Sequence, residues 1–328
     1  MTRILCGIDI GGTKMASGLL TPDGTLGHIR TTVDHACMDE ACLMDLAAAE
    51  VAMLCKEAGV AVADLEGVAV GMAGHMRSRD GIVVTTSNLT GFKHYPLASE
   101  LSQRLGGIRV ILENDANCQA WAEYKYGAGK GHDDMVFVTV STGIGAGIVI
   151  NGRLYRGRSG TAGEIGHTII EPSSDSVCTC GNKGCFMAHA CTLNLEHLAR
   201  KKSVRIKNTR VFENPADIGE KTRPTSQRLL DGKRIYVHAR EGDPVAIEII
   251  HEYADYLGIM LYNLFQILNP SAIILGGGLM NWELGFFERM TDKFHRLAGT
   301  MLDEPMLIEK AGVGEWSGVI GAGALLLE

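Results

Sequence analysis

Short apolar runs that end in glycines recur along this chain and predict a repeated α/β arrangement. ILCGIDI at 4–10 is β-prone and is followed by Gly11-Gly12, and residues 17–26 continue it as a hairpin. Residues 135–157 repeat the order of strand, glycine turn and strand, and they contain the hairpin signal Asn151-Gly152. The two segments together predict duplicated α/β units that flank a cleft.

Other hydrophobic patterns predict the elements between these two segments. Helical periodicity predicts helices over 38–58, 116–126 and 244–268, the last with Asp243 as N-cap and proline at the first helical position. Apolar runs predict buried strands over 67–74, 108–115 and 271–275.

One histidine and three cysteines between residues 164 and 185 have the spacing of a closed metal site. His167 lies eleven positions before Cys178, Cys180 follows after two more, and Cys185 after a further five. Three thiolates and one imidazole favour Zn²⁺, and four protein ligands leave no position open for water, as in structural zinc sites. We expect a structural zinc ion that fixes the loop carrying Glu164. Ordinary buried thiols are the alternative, which three cysteines within eight residues disfavour.

Three glycine turns predict contacts with phosphate groups, because backbone N–H groups approach an anion where side chains are small. None of the three matches a Walker loop or a dinucleotide fingerprint, and each alone is also a common structural turn. Together they predict a site for the phosphates and adenosine of one nucleotide. The three turns are Asp9, Gly11, Gly12, Thr13 and Lys14; Ser141, Thr142, Gly143 and Gly145; and Gly276 to Gly278.

The motif ENDAN at 113–117 contains the candidate for a catalytic base. Asp115 ends a predicted strand and begins a helix, where α/β proteins present reactive groups. The alternative is that its carboxylate only caps the helix.

Composition limits the classes of partner. The 328 residues carry a formal net charge of −7, which gives no overall attraction to nucleic acid or to an anionic membrane. No apolar stretch is long enough to span a bilayer, and the cysteines outside the zinc motif show no disulfide rhythm. These features predict a soluble cytoplasmic protein. The remaining cysteines are Cys6, Cys37, Cys42, Cys55, Cys118 and Cys191.

The length allows two domains, and no linker rich in Pro, Gly or Ser separates them. We expect a hinge near Asp115. A small N-terminal α/β domain would cover 1–115, with a C-terminal helix at about 316–328 packed back onto it. A large α/β domain would cover 116–315 and carry the zinc loop.

The motifs DIGGTK, ENDAN, STGIGAG, AGEIGH, CTCGNKGC and LGGGL occur here in the order typical of the ROK sugar kinases. From about residue 4 to residue 325 the chain resembles this family of repressors, open reading frames and kinases. The resemblance implies the two-domain, ribonuclease H-like fold of the actin-like ATPases. It also implies Mg²⁺-dependent transfer of the γ-phosphoryl of ATP to a hexose or hexose derivative, usually at the 6-hydroxyl. A homodimer, or a dimer of dimers, is expected.

The resemblance implies a role for each matching residue. Asp115 matches the family's catalytic base. Thr142, Gly143 and Gly277 match its nucleotide side, and Asp9, Gly12 and Thr13 match its phosphate and Mg²⁺ end, beside Gly11 and Lys14. The expected sugar contacts are Gly74, Asn88, Asn114, Glu164 and His167, the last of which also falls at the zinc position.

The chain departs from the family pattern after the last zinc cysteine. Sugar-kinase members usually carry a glutamate that grips hydroxyls near the anomeric carbon, whereas this chain has Met187, and Cys191-Thr192 replaces the usual Ser-Gly. Either the substrate is less polar near carbon one, as in a β-glucoside or N-acylated sugar, or activity on free glucose is weakened. His189 is a candidate substitute acceptor, although a lone histidine on a helix is more often a satisfied surface or core group.

Two alternatives to an enzyme remain. Repressors of this family carry a winged-helix region before the first glycine turn, and only eight residues precede Asp9 here, so we do not expect DNA binding. A sugar-sensing protein without activity is the second alternative, which is disfavoured by the intact Asp9, Thr13, Asn114, Asp115 and Glu164.

Overall fold

The computed structural model describes residues 3–12, 14–33, 39–86, 89, 91–206, 208–212 and 230–328. The chain forms two compact units. The first unit comprises Met1–Phe137, Ala146–Gly163 and Ala311–Glu328, and the second comprises Val138–Gly145 and Glu164–Lys310. The hinge expected near residue 115 stays a proposal.

The described residues form strands and helices in alternating groups. The strands are β1 Ile4–Ile10, β2 Lys14–Leu20, β3 Leu26–Val33, β4 Leu65–Met72, β5 His75–Arg77, β6 Ile82–Thr85, β7 Lys93–Tyr95, β8 Val110–Asn114, β9 Met135–Val140, β10 Ile144–Ile150, β11 Arg153–Leu154, β12 Ala272–Gly276 and β13 Leu307–Lys310. The helices are α1 Glu40–Ala58, α2 Leu97–Arg104, α3 Asp115–Tyr126, α4 Met187–Ala190, α5 Leu195–Arg205, α6 Gly232–Arg240, α7 Pro244–Leu268, α8 Phe286–Ala298 and α9 Ser317–Ala324.

A mixed sheet in the order β3-β2-β1-β4-β8 forms the centre of the first unit. β1 pairs with β2 antiparallel and with β4 parallel, and β8 also runs parallel to β4. In this register Gly71 of β4 pairs with Asp9 on one side and with Glu113 on the other. The ends of β1 and β8 therefore lie at the same edge of the sheet, which places Asp9 near the ENDAN motif.

The described residues form two further sheets. A five-stranded sheet has the order β11-β10-β9-β12-β13, in which β12 and β13 are parallel and β10 and β11 are antiparallel. A small sheet in the order β5-β6-β7 lies in the first unit.

Helix α9 belongs to the first unit and packs closely against β1 and α3, with the backbones in contact. A Cβ on Gly7 of β1 would lie 1.9 Å from the Val319 carbonyl oxygen, and one on Gly321 would lie 1.7 Å from the Cys118 carbonyl oxygen. Glycine is required at both positions, because any side chain would separate α9 from β1 and α3.

The α/β class is confirmed, and the predicted helix over 244–268 matches α7. Its cap is the predicted one, since the Asp243 carboxylate accepts from the N–H groups of Val245 at 2.9 Å and Ala246 at 3.2 Å. Within the described part of the chain, no helix has both the length and the apolar surface needed to cross a membrane.

Candidate active-site residues

The turn between β8 and α3 presents Asp115 at the first position of a helix. The Asn114 side chain, not that of Asp115, is the N-cap: Asn114 Oδ1 accepts from the N–H groups of Ala116 at 2.9 Å and Asn117 at 3.3 Å. The interpretation of Asp115 as the N-cap of this helix is therefore wrong.

Asn114 also connects this turn to Gly74. Asn114 Nδ2 donates to the Gly74 carbonyl oxygen over 3.1 Å. Gly74 has a φ of +134°, and a Cβ there would lie 2.5 Å from the Thr85 carbonyl oxygen, so only glycine fits. The structure thus brings together two expected sugar contacts, Gly74 and Asn114. Asn88, the third expected contact in this region, lies outside the described residues.

Asp9 lies near the end of β1, in the same region of the first unit, just before the tight turn between β1 and β2. The Gly11 N–H donates to the Lys14 carbonyl oxygen over 2.8 Å, which closes the turn. Burial and the negative charge of Asp115 raise the pKa of Asp9 to about 7, and Lys14 opposes this shift. The two carboxylates are therefore close enough for the charge of one to disfavour ionisation of the other. Thr13 lies outside the described residues.

In the second unit, the loop between β9 and β10 carries Ser141, Thr142 and Gly143. The Ser141 N–H donates to the Gly143 carbonyl oxygen over 2.9 Å. Gly277 has a φ of +90°, and a Cβ on it would lie 2.3 Å from the Val140 carbonyl oxygen. The glycine turn after β12 is therefore adjacent to the end of β9, which brings together the residues expected to bind the nucleotide.

His167 lies between the candidate sugar contact and the cysteines. Its Nε2 is 3.9 Å from the Glu164 carboxylate, and its Nδ1 is 3.4 Å from Cys178 Sγ. The two nitrogens of an imidazole cannot both act as acceptors unless the ring is deprotonated, so a metal at Nδ1 would leave Nε2–H to donate towards Glu164. A single histidine thereby connects the metal ligands to the residue expected to contact sugar.

The four predicted metal ligands converge, with all their ligand atoms within 4.8 Å of one another. A tetrahedral zinc ion with Zn–S bonds of about 2.3 Å and Zn–N bonds of about 2.0 Å holds sulfur pairs about 3.8 Å apart and sulfur–nitrogen pairs about 3.5 Å apart. The observed distances are 3.6 Å for Cys180 Sγ to Cys185 Sγ and 3.4 Å for Cys178 Sγ to His167 Nδ1. The donor set and the distances both fit zinc.

Met187 contacts both functional loops of the second unit. Its methyl group would be 2.9 Å from a Cβ on Gly166 and 3.6 Å from a Cβ on Gly143, so it lies against the turn before His167 and against the loop after β9. Its sulfur is 3.9 Å from Thr179 Oγ1. His189 is a core residue instead, 5% exposed, with its ring 4.9 Å from that of Tyr256.

The sequence did not identify Glu113 as a candidate functional residue, although it is the first residue of the ENDAN motif. Its side chain is buried and accepts hydrogen bonds from three separate segments of the first unit. A buried acid beside a candidate base was the available signal.

The sheet order, the paired strand–glycine turns and the candidate residues define the class of protein: an α/β protein with the fold of the actin-like ATPases. The family model described as "ROK family" matches residues 5–328, and the chain belongs to the ROK family.

Relatives extend over nearly the whole chain. The glucokinase of Streptomyces coelicolor is 32% identical over 323 residues, which cover 98% of this chain and 97% of the relative. The N-acetylmannosamine kinase of Shigella boydii serotype 18 is 33% identical over 272 residues, covering 83% of this chain and 82% of the relative. The crystal structure of a ROK family glucokinase from Streptomyces griseus in complex with glucose and AMPPNP is similar with a TM-score of 0.78 and 32% identity. That similarity covers 98% of each chain.

Proposed function

We propose that this chain transfers the γ-phosphoryl of ATP to a hydroxyl group of a hexose or hexose derivative, most simply the 6-hydroxyl. The observation that carries the proposal is the turn in which Asn114 takes over helix capping and presents Asp115 beside Asp9. The glucokinase relatives favour an enzyme over a sugar-sensing protein without activity.

Asp115 would act as the base. As the sugar oxygen bonds to the γ-phosphorus and the bond from phosphorus to the bridging oxygen breaks, the Asp115 carboxylate accepts the hydroxyl proton and ADP leaves. A carboxylate with an ordinary pKa of about 3.9 is a weak base, but a loose phosphoryl-transfer transition state needs little early deprotonation. Asp115 therefore acts mainly by aiming the hydroxyl. In this proposal Gly74, Asn88, Asn114, Glu164 and His167 hold the sugar.

The phosphates would lie against the turn of Asp9, Gly11, Gly12, Thr13 and Lys14, and the rest of the nucleotide against Thr142, Gly143 and Gly277. Asp9 is the carboxylate that would hold Mg²⁺, directly or through water. The raised pKa of Asp9 fits this role, because a nearby cation restores the ionised form that burial disfavours. Bound Mg²⁺ would neutralise charge on the transferring phosphoryl group.

We also propose one structural zinc ion per chain, held by His167, Cys178, Cys180 and Cys185. Zinc bound there would supply no reaction chemistry, because four protein ligands complete its coordination. The histidine would be fixed in one orientation, and with it the direction in which Nε2–H faces Glu164.

The substrate has two candidate classes. Free glucose is favoured by the glucokinase relatives, and an N-acetylhexosamine by the N-acetylmannosamine kinase relative. Met187 favours the second class, because a thioether in contact with Gly166 is an apolar surface beside the expected sugar contacts.

An ATP-coupled assay with hexoses, N-acetylhexosamines and β-glucosides tests the proposal, and phosphorus NMR identifies the product. Asp115→Asn should lower kcat by at least ~10²-fold while sugar binding changes little, because the amide keeps the shape but cannot accept the proton. Asp133→Asn, at an exposed position of the first unit, is the control and should match the parent. Turnover by Asp115→Asn within a few-fold of the parent would exclude Asp115 as the base.

A further inference from the structure

Glu113 accepts hydrogen bonds from three parts of the first unit although it lies in the core. Its Oε1 accepts from Ser78 Oγ at 3.0 Å, from the Asn114 N–H at 2.9 Å and from Asn117 Nδ2 at 3.0 Å. The residue is 1% exposed. These donors surround the turn that presents Asp115, so the carboxylate holds the turn from its buried side.

Arg156 compensates the charge of Glu113. Its Nε donates to Glu113 Oε2 over 2.5 Å, and its Nη2 contacts Glu328 Oε2 at 2.8 Å. A buried carboxylate is stable only when it is paired and hydrogen-bonded, so the position of Glu113 depends on Arg156. The segment after β11 and residue Glu328, four positions beyond α9, are thereby connected to the turn at Asn114.

We propose that Glu113, held by Arg156, is a positioning residue for phosphoryl transfer: it fixes the backbone at Asn114 and thus the direction of the Asp115 carboxylate. This inference rests on the proposed role of Asp115. Glu113 itself does not contact the reacting groups. It acts by restricting the turn, and a small displacement of an aligned group lowers the rate far more than it lowers binding.

The first unit contains a matched control for this arrangement. Glu50 is also buried, accepts from Arg30 Nε at 2.5 Å and from Thr32 Oγ1 at 2.8 Å, and its arginine contacts a second acid, Glu57, at 2.6 Å. The exposed fractions of the two arginine side chains are 30% and 31%. The two clusters differ in place: Glu50 lies on α1, and Glu113 adjoins the turn of Asp115.

Glu113→Gln and Glu50→Gln should therefore lower the melting temperature alike but differ in turnover. We expect Glu113→Gln to lower kcat at least ~10-fold with KM for ATP changed less than ~3-fold, and Glu50→Gln to keep kcat within ~2-fold. Arg156→Gln should resemble Glu113→Gln. The double variant should lose no more turnover than the worse single variant, because both substitutions break one contact.

Hydrogen exchange provides a readout that does not depend on activity. Amides of residues 114–117 should exchange faster in Glu113→Gln and Arg156→Gln than in Glu50→Gln. If Glu113→Gln does not fold, Ser78→Ala and Arg156→Lys give the same comparison. Unchanged kcat together with unchanged exchange at the turn overturns the inference. A parent chain that phosphorylates no hexose contradicts the proposed function instead, and the exchange comparison still decides the role of Glu113.

Discussion

At the scale of single residues, Asp9 has an acid group whose environment favours the protonated form. Burial and the charge of Asp115 raise its pKa to about 7, well above the usual value of about 4. Between roughly pH 4 and pH 7 the folded chain holds a proton that the unfolded chain releases, so the free energy of unfolding falls as the pH rises through this range.

Asp9→Asn removes this ionisation and should stabilise the protein in buffer free of nucleotide and divalent ions. The gain in melting temperature over the parent should be small near pH 4, grow up to about pH 7 and then stay constant. Thermal unfolding followed by circular dichroism measures it, with Asp133→Asn as the exposed control. A gain that does not vary with pH contradicts the raised pKa.

Met187 is the residue at which the substrate preference is most directly tested. Met187→Glu places a hydroxyl acceptor against Gly166 and should favour glucose over its best substituted analogue. We expect the ratio of kcat/KM values to shift by at least ~1 kcal/mol, about fivefold, because an acceptor is gained for one substrate and a carboxylate is left unpaired for the other. Met187→Leu is the control of similar volume. Equal changes for both sugars would mean that Met187 only packs.

The sequence identified several of these residues but not the contacts that they make. Asp9, Asn114 and the four metal ligands belong to recognisable motifs, so the sequence alone identified them as candidates. That Asn114, and not Asp115, caps α3 was not visible, because a cap depends on side-chain direction at adjacent polar residues. Two partners of Glu113, Ser78 and Arg156, lie 35 and 43 positions away in the chain, and no local pattern records them.

At the scale of elements, residues 168–186, which carry the three cysteines and are all described, contain no helix or named strand. Their backbone is held by turn hydrogen bonds and by two isolated bridges, Ile169 with Cys185 and Val177 with Lys183. Two of the three cysteines, Cys178 and Cys185, are buried and form a small cluster with Ala188. Metal binding and local folding are therefore expected to be coupled.

Cys180→Ser should lower the zinc content, the melting temperature and the sugar affinity together. The parent should contain one zinc per chain by elemental analysis, and a chelator should reproduce the effect of the substitution. Cys42→Ser, at an exposed cysteine of α1, should change none of the three. A purified, active parent with well under one zinc per chain excludes the metal site.

Element bounds were predicted best where capping residues and periodicity coincide. Asp243 and Pro244 gave α7 its start, and continuous apolar periodicity gave its length. β3 was predicted only in part, and the short strands β5, β6 and β7 were not predicted. β3 is mostly exposed and carries little hydrophobic alternation, and three-residue strands are too short for a period to be read.

At the scale of the whole molecule, the proposed site residues are distributed over both compact units. Asp9, Gly74 and Asp115 belong to the first, and Thr142, Glu164 and Gly277 to the second. Local patterns could not reveal that residues 146–163 belong with the first 137, because nothing in composition links distant segments.

Binding of sugar and a non-hydrolysable ATP analogue should protect both units from hydrogen exchange. With the preferred sugar and the analogue at about 100 times Kd, stabilisation of about 2.7 kcal/mol per ligand is expected, and slower exchange should appear at residues 9–14 and 114–117 and at 141–143 and 164–167. Asp115→Asn should retain most of this protection. Protection confined to one unit would contradict the residue assignments.

The close contact of α9 with β1 also affects how the protein is made. β1 is translated well before residues 317–324, which form the helix that packs against it at Gly7. Since domains tend to fold as units during synthesis, the second unit has all its residues when translation reaches Lys310, whereas the first unit still lacks a layer. Nascent chains that stall late should therefore expose one face of the first sheet, and chaperones should bind there.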